Sequence, residues 1–349
     1  MKVLFVPDYR GSNLYQSLLA NELRSESVVV GFSHDIPIKH LLLNRNGTHV
    51  LHIHWIKPLL SSKVNNIFFK SFKLLQSTIK LYLLRIIGIR IIWTVHNLRE
   101  HDTKNPFMND IINIVLVSLS HAIIVHSKTG KTIVENKYFK GKIEDKVVVV
   151  PHGHYIGAYK NNVTKDESRE MLGLPKSKFI YLFFGAVRPY KGLDVLIKAF
   201  ELIKNDDIAL VIAGKPLNDS FMEKVLSLSK LNSIYYFLKY IDNDEIQYYM
   251  NASDAVVCSY NGIFTSGSVI LAMSYGRPVI APNLGCIRDY LHEDGGILYE
   301  HDDIGSLCKA LLQLYQNTSD NLGQNNLRRI AINSWKRIAL KTIEVYRND

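Results

Sequence analysis

The 349-residue sequence predicts an α/β protein made of two doubly wound parallel-sheet domains. Short runs rich in β-branched residues alternate with segments of helical spacing along the whole chain, the pattern of βαβ units and a parallel sheet. The alternation stops once, in a polar interval from Tyr159 to Arg169, and then restarts. A chain of this length, 47% hydrophobic and 21% charged, can bury two cores without staples.

In the first half the strand-like runs are VLFVP (3–7), SVVVGF (27–32), HVLHIHW (49–55), IRIIWTVHN (89–97), AIIVHS (122–127) and VVVVPHG (147–153). YQSLLANEL (15–23) has helical spacing between the first two. Between Ser61 and Trp93 the spacing predicts a basic amphipathic helix. Lys63, Asn66, Lys70, Lys73, Ser77 and Lys80 recur at steps of three and four, and Phe68, Phe72, Leu75, Ile79 and Tyr82 occupy another arc. Two roles are open for the lysine arc: contact with anionic headgroups of a bilayer, or a solvated face on a core-packed helix. In the second half the strand-like runs are FIYLFFGA (179–186), IALVIAG (208–214), SIYYFLKY (233–240), AVVCSY (255–260) and RPVIAP (277–282).

Composition narrows the function. The formal net charge of +10 sits in the first half: residues 1–160 hold 21 basic and 10 acidic residues, and the remainder 21 and 22. Such asymmetry implies an anionic partner for one domain. No nucleic-acid-binding motif accompanies the charge, so a membrane surface is the expected partner. Cys258, Cys286 and Cys308 are odd in number and widely spaced, which predicts neither a disulfide framework nor a zinc site, and implies a reducing compartment. The N-terminal apolar run is broken by Pro7 and Asp8, and no window of about 18 apolar residues occurs, so a soluble or peripheral protein is expected. GxGxxG is absent, against the commonest dinucleotide fingerprint.

Ligands in doubly wound sheets bind at the carboxyl ends of the strands, so the strand-to-helix loops carry the candidate chemistry. In FFGAVRPYKGLDVLIKAF (183–200), Arg188 and Lys191 lie just past a strand, Gly192 permits a tight turn, and a helix follows. Two cations and helix amides suit a phosphate-bearing ligand. TSGSVILAMSYGRPVIAP (265–282) opens with small polar residues at a helix start, where unhindered N–H groups and hydroxyls favour an anion.

The segment Gly185–Gly192 resembles the G-x-x-x-x-x-K-G loop of the GT-B glycosyltransferases, especially the large family-four-type group. IIVHS (123–127), VPHGHY (150–155), AG (213–214) and ILAMSYGRPVIAP (270–282) match further motifs in the expected order. SWKRIALKTIEVY (334–346) resembles the helix that crosses back to the N-terminal domain in that fold. The resemblance implies two Rossmann-like domains facing a cleft: an acceptor domain, residues 1–160 with the closing helix 334–349, and a donor domain, 161–333. It implies a nucleotide-diphosphate sugar donor held at its diphosphate by Arg188, Lys191, Thr265, Ser266, Gly267 and Ser268. The nucleotide would lie near Gly185, Lys215, Tyr240, Ile241 and Glu245. The family's Glu-x7-Glu pair falls on Ile263 and Leu271, so ribose binding and anomeric outcome do not carry over. TSGS together with HIHW (52–55) and TVHNLREHD (94–102) resembles a subgroup of bacterial polysaccharide enzymes.

Transfer from a nucleoside diphosphate needs the leaving diphosphate neutralised, and inversion also needs a base for the acceptor hydroxyl. Arg188 and Lys191 are assigned the first task, with no metal and no cofactor expected. Candidate bases are His96, Glu100, His101 and Asp102 after one strand, and Asp8 after the first. Arg10, His54 and Trp55, with Lys70, Lys73 and Lys80, are the expected acceptor or membrane contacts.

The expected function is sugar transfer from a UDP- or GDP-sugar to a lipid-linked oligosaccharide or polysaccharide acceptor in capsule, exopolysaccharide or lipopolysaccharide O-antigen synthesis. The enzyme would be peripheral on the inner face of a bacterial cytoplasmic membrane. Alternatives are a sugar-nucleotide epimerase of the same fold and a non-catalytic scaffold that binds nucleotide sugars.

Overall fold

The computed structural model describes residues 1–11, 13–43, 49–60, 66–99, 106–317 and 319–348. It divides into two units, 1–153 with 333–349, and 154–332. The expected boundary at 160 therefore moves to 153. The backbone explains the shift: the Tyr155 N–H donates to Ser274 Oγ, the Asn162 N–H to Gln247 Oε1, and Tyr275 OH to the Lys160 carbonyl. These bonds tie 155–162 to the second unit.

The first unit holds a six-stranded sheet of β1 (Lys2–Val6), β2 (Val29–Phe32), β3 (Val50–Ile53), β4 (Arg90–Thr94), β5 (Ala122–Val125) and β6 (Val147–Val149). Their spatial order is β2-β1-β3-β4-β5-β6 and every pairing is parallel. The second unit holds β7 (Phe179–Phe184), β8 (Ile208–Ala213), β9 (Ile234–Phe237), β10 (Ala255–Val257), β11 (Val279–Pro282) and β12 (Gly296–Tyr299). The order is β12-β11-β10-β7-β8-β9, again all parallel. The sequence reading did not anticipate β12, a four-residue edge strand whose GILY run is too short and too Gly-flanked to show a period.

Strands covered on both faces need side chains that are apolar on both faces. Accordingly β8, IALVIA, is buried at all six positions, and β3, VLHI, at all four. One core packs Tyr181, Phe183, Leu196, Phe200, Leu210 and Ile212. The other packs Phe5, Tyr15, Leu19 and Leu23 against the last helix, Trp335–Arg347. That helix starts at an N-cap, Ser334, whose hydroxyl accepts from the Arg337 N–H, and it buries Trp335, Ile338, Ile343 and Tyr346 in the first unit. Among the described residues, no helix is long and apolar enough to cross a membrane.

Candidate functional site

In the second unit the chain lays β7, β8 and β9 to one side, then returns to place β10 beside β7. This reversal opens a crevice at the carboxyl edge between the loops that follow β7 and β10. Past β7 the chain turns at Gly185, with φ +102°, passes through a 3-10 turn, Pro189–Lys191, and caps it at Gly192, with φ +63°. Both glycines are required by their surroundings. A Cβ at Gly185 would lie 2.7 Å from Lys191 Nζ, and one at Gly192 would lie 1.9 Å from the Ser259 carbonyl oxygen.

Lys191 is 7% exposed. Its Nζ donates to the Phe184 carbonyl (3.2 Å) and to Ser268 Oγ (3.5 Å), and no carboxylate pairs with it among the described residues. Burial pushes its pKa down to about 8; the nearby Cys258 opposes that shift and the Arg188 charge adds to it. Ser268 lies in the first turn of the helix Gly267–Ser274, where the leading N–H groups have no intrahelical acceptor. A desolvated ammonium without a counter-ion thus stands against a positive helix end, an arrangement that favours an anionic ligand.

Ser266 has a different role from the expected one. Its buried hydroxyl accepts from the Val269 N–H (3.2 Å) and bonds Tyr260 OH (2.7 Å), so it caps the helix. Gly267 is exposed at the helix start, and half-buried Thr265 contacts Cys286 Sγ at 3.9 Å. Arg188 is half-buried and lines a hollow of about 140 Å³ with Leu193, Asp194, Phe221 and Lys224, while Lys191 lies against Ser268. Lys215 follows β8 with an exposed side chain, while its carbonyl accepts from the Val187 N–H (2.9 Å). After β9, Tyr240 is exposed, Ile241 is buried, and Glu245 Oε1 accepts from Lys239 Nζ (2.9 Å). These loops share the carboxyl edge with the cradle, one and two strands away.

In the first unit, four consecutive strands are followed by histidine: His54 after β3, His96 after β4, His126 after β5 and His152 after β6. All four are buried, as is His52 within β3, and Tyr15 lies at 4.8–5.8 Å from the rings of His54, His96, His126 and His152. His52 bonds Tyr346 OH (2.6 Å) and Thr94 Oγ1 (2.7 Å). His54 therefore does not form part of an exposed acceptor wall. With both faces of the sheet covered, alternation along β3 exposes neither histidine. Trp55 is half-buried and stacks on His96 at 4.4 Å, with Tyr9 beside it at 5.3 Å.

Burial drives all five imidazoles toward the neutral form: His52 and His152 to about 3, His126 to about 4, and His54 and His96 well below 6.5. Neutrality and hydrogen bonding then fix three tautomers. The Val150 carbonyl can only accept from His126 Nδ1 (2.9 Å), so His126 Nε2 is bare and accepts from His96 Nδ1 (3.3 Å). His96 Nε2 in turn accepts from His54 Nδ1 (3.3 Å), which leaves His54 Nε2 a bare acceptor, buried and without a hydrogen-bond partner among the described residues. Both nitrogens of His96, the expected base, are thus occupied by neighbouring imidazoles. His126 was not among the sequence candidates. The available signal was the histidine closing each of four successive strand runs.

Asp8 and Arg10 follow β1 and bind each other bidentately, at 2.8 and 2.9 Å, with the guanidinium 3.8 Å over the Phe32 ring. The Arg10 hydrogen bond lowers the Asp8 pKa, which makes this carboxylate a weaker base than expected. Glu100, His101 and Asp102 lie outside the described residues. Lys73 and Lys80 both reach Asp35 Oδ2, at 2.5 and 3.5 Å, and are only 18% and 14% exposed. The lysine arc of the Ile67–Ile86 helix therefore faces the protein at these positions, contrary to its expected outward role. Lys70 is half-buried. No group of three or more metal-ligating side chains occurs among the described residues.

Residues 178–317, spanning β7 to the end of the helix after β12, match the family of glycosyl transferases group 1. The chain is a glycosyltransferase of GT-B fold, similar over this segment to group 1. A GDP-mannose:glycolipid 4-beta-D-mannosyltransferase of Xanthomonas campestris pv. campestris is 25% identical over 281 residues, covering 79% of this chain and 73% of that protein. A D-inositol 3-phosphate glycosyltransferase of Salinispora arenicola is 30% identical over 198 residues, 51% of this chain and 43% of that one. The sucrose-phosphate synthase of Thermosynechococcus elongatus superimposes with a TM-score of 0.77 at 16% identity, over 99% of this chain and 98% of that one. Anabaena Alr3699/HepE in complex with UDP superimposes with a TM-score of 0.75 at 14% identity, over 99% of each chain. Both solved structures share the fold of this glycosyltransferase.

Proposed function

We propose that the enzyme transfers a sugar from a UDP- or GDP-sugar to a lipid-linked glycan acceptor in bacterial surface-polysaccharide synthesis, at the inner face of the cytoplasmic membrane. The observation that carries the donor assignment is the buried Lys191 ammonium, without a carboxylate partner among the described residues, against Ser268 at a helix N-terminus. As the sugar–phosphate bond breaks, charge develops on the leaving diphosphate. A fixed ammonium and helix amides in a water-poor site stabilise that charge more than water would. Arg188 supplies a second positive charge nearby, and no metal takes part. Thr265, Gly267 and Ser268 line the same loop, and Ser266 holds it in place.

For inversion, the acceptor hydroxyl must lose its proton as its oxygen bonds the anomeric carbon. The buried, neutral histidine chain His54–His96–His126 holds the ends of β3, β4 and β5 together and does not meet a hydroxyl from solvent, so among the described residues part-exposed Asp8 at the end of β1 is the expected base left to take it. The glycolipid mannosyltransferase relative supports a lipid-linked acceptor, and the UDP-bound structure of the same fold supports a nucleotide donor.

The test is to incubate the enzyme with labelled UDP- and GDP-sugars and lipid extract, with and without EDTA, and to follow label into the lipid fraction. Transfer of one sugar, undiminished by EDTA, is expected. Interconversion of free nucleotide sugars with no labelled lipid would favour the epimerase.

A further inference from the structure

The Ile67–Ile86 helix is amphipathic in the opposite sense from most surface helices. It buries only Ser77, Leu81 and Leu84. Phe68, Phe72, Leu75, Ile79, Tyr82 and Ile86, spaced by three and four, form a stripe that is 50–79% exposed. The stripe continues onto the neighbouring helix, Pro106–Leu119, through Ile114 at 58% exposure. Between the two helices runs a groove of about 440 Å³, lined by Ile79, Tyr82, Leu83, Ile114, Val115 and Leu119 among others. Its volume is roughly three times the ~150 Å³ cavity that accepts one benzene molecule. At one end Arg85, exposed, donates to the Leu119 carbonyl at 2.6 Å.

Charge identifies what covers this face. From Ile36 to Arg99 the sequence has ten Lys and Arg and no Asp or Glu. A second copy of the chain would set like charge against like charge. An anionic lipid surface would complement it. The Lys73 and Lys80 bonds to Asp35 clamp the helix to the protein, which leaves its apolar stripe outermost.

We infer that this enzyme enters the bilayer with the apolar face of the Ile67–Ile86 and Pro106–Leu119 helices, and that the groove between them takes a hydrocarbon chain of an anionic membrane lipid. The inference deepens the membrane-bound reading above, replacing headgroup contact by lysines with insertion of aromatic and aliphatic side chains. Exposed cations such as Lys57 and Arg85 remain available to the headgroups. Binding should therefore resist high salt, because insertion is not screened.

The test is flotation of the full chain with vesicles of phosphatidylcholine alone and mixed with phosphatidylglycerol, at low and high salt. Wild type should bind the mixed vesicles at both. The triple variant F68S/F72S/I79S should bind at least roughly a thousandfold more weakly, since each of the three large apolar side chains moved out of water is worth about tenfold or more. Near-UV circular dichroism checks that it is folded. Equal vesicle binding by the variant, or binding abolished by salt in the wild type, would overturn the inference. So would a concentration-dependent dimer that the three substitutions convert to monomer. Sugar transfer to a short-chain, water-soluble acceptor separates the two claims: the variant should retain it. Failure of wild type to transfer to any acceptor would count against the catalytic reading alone.

Discussion

Lowering the pH should unfold the first unit through its histidines. Each of the five is neutral in the fold, and an unfolded histidine titrates near 6.5. A histidine whose folded pKa is depressed destabilises the fold as pH falls, because the unfolded chain takes up the proton first. The loss begins near pH 6.5 and continues to the folded pKa, about 3 for His52 and His152 and about 4 for His126. At pH 5 all three remain neutral in the folded state. Each then costs about 2 kcal/mol, from 1.36 kcal/mol per pH unit, or about 6 kcal/mol together. His54 and His96 shift in the same direction. A total on this scale approaches the 5–15 kcal/mol that holds an ordinary domain folded. Trp55, Trp93 and Trp335, the three tryptophans of the chain, all belong to the first unit, so tryptophan emission reports on that unit selectively. Emission and urea midpoint should fall steeply between about pH 6.5 and 5. An unchanged urea midpoint down to pH 5 would show that the histidines are charged or solvated, and the tautomer chain would fall with it.

Donor binding should depend on pH through Lys191. With its free-state pKa at about 8, affinity for a nucleoside diphosphate should fall about tenfold per pH unit above 8, read by calorimetric titration; affinity constant to pH 9.5 would refute the contact. Gly192→Ala should destabilise the second unit by several kcal/mol, as a left-handed φ and a 1.9 Å approach to a carbonyl leave no room for Cβ; a melting temperature within a degree or so of wild type would contradict it. Arg169→Ala should cost about 3–5 kcal/mol, since the buried guanidinium holds the Ala252 and Lys176 carbonyls and Asp254; denaturant unfolding measures it, and a loss below 1 kcal/mol would oppose it.

The parallel sheets were legible because buried strands advertise themselves as β-branched runs: ten of the twelve strands lie within the quoted runs, and β1 begins one residue before its run. The cradle was legible at Lys191, where a cation, a glycine and a helix start adjoin in sequence. Contacts that join distant segments were not. The helical pattern of 67–86 separates an apolar arc from a lysine arc, but only Asp35, 38 residues before Lys73, decides which arc faces the protein. Likewise His54, His96 and His126 form one chain because β3, β4 and β5 are neighbours, and strand order is not written in any local run. Ser266 looked like a ligand contact because a serine at a helix start serves equally as cap or as phosphate donor. Its burial beside Tyr260 makes it the cap.

The donor assignment at Lys191 is tested most directly by thermal melting of wild type and Lys191→Met with and without UDP, GDP and their sugar conjugates. Without ligand the variant should be the more stable, by up to about 3 kcal/mol, because a lysine lowered from 10.5 to about 8 is charged at a cost in the folded state at pH 7. One nucleotide series should raise the melting temperature of wild type and leave the variant unmoved. Equal nucleotide-induced shifts in both proteins would contradict the assignment of the diphosphate to Lys191.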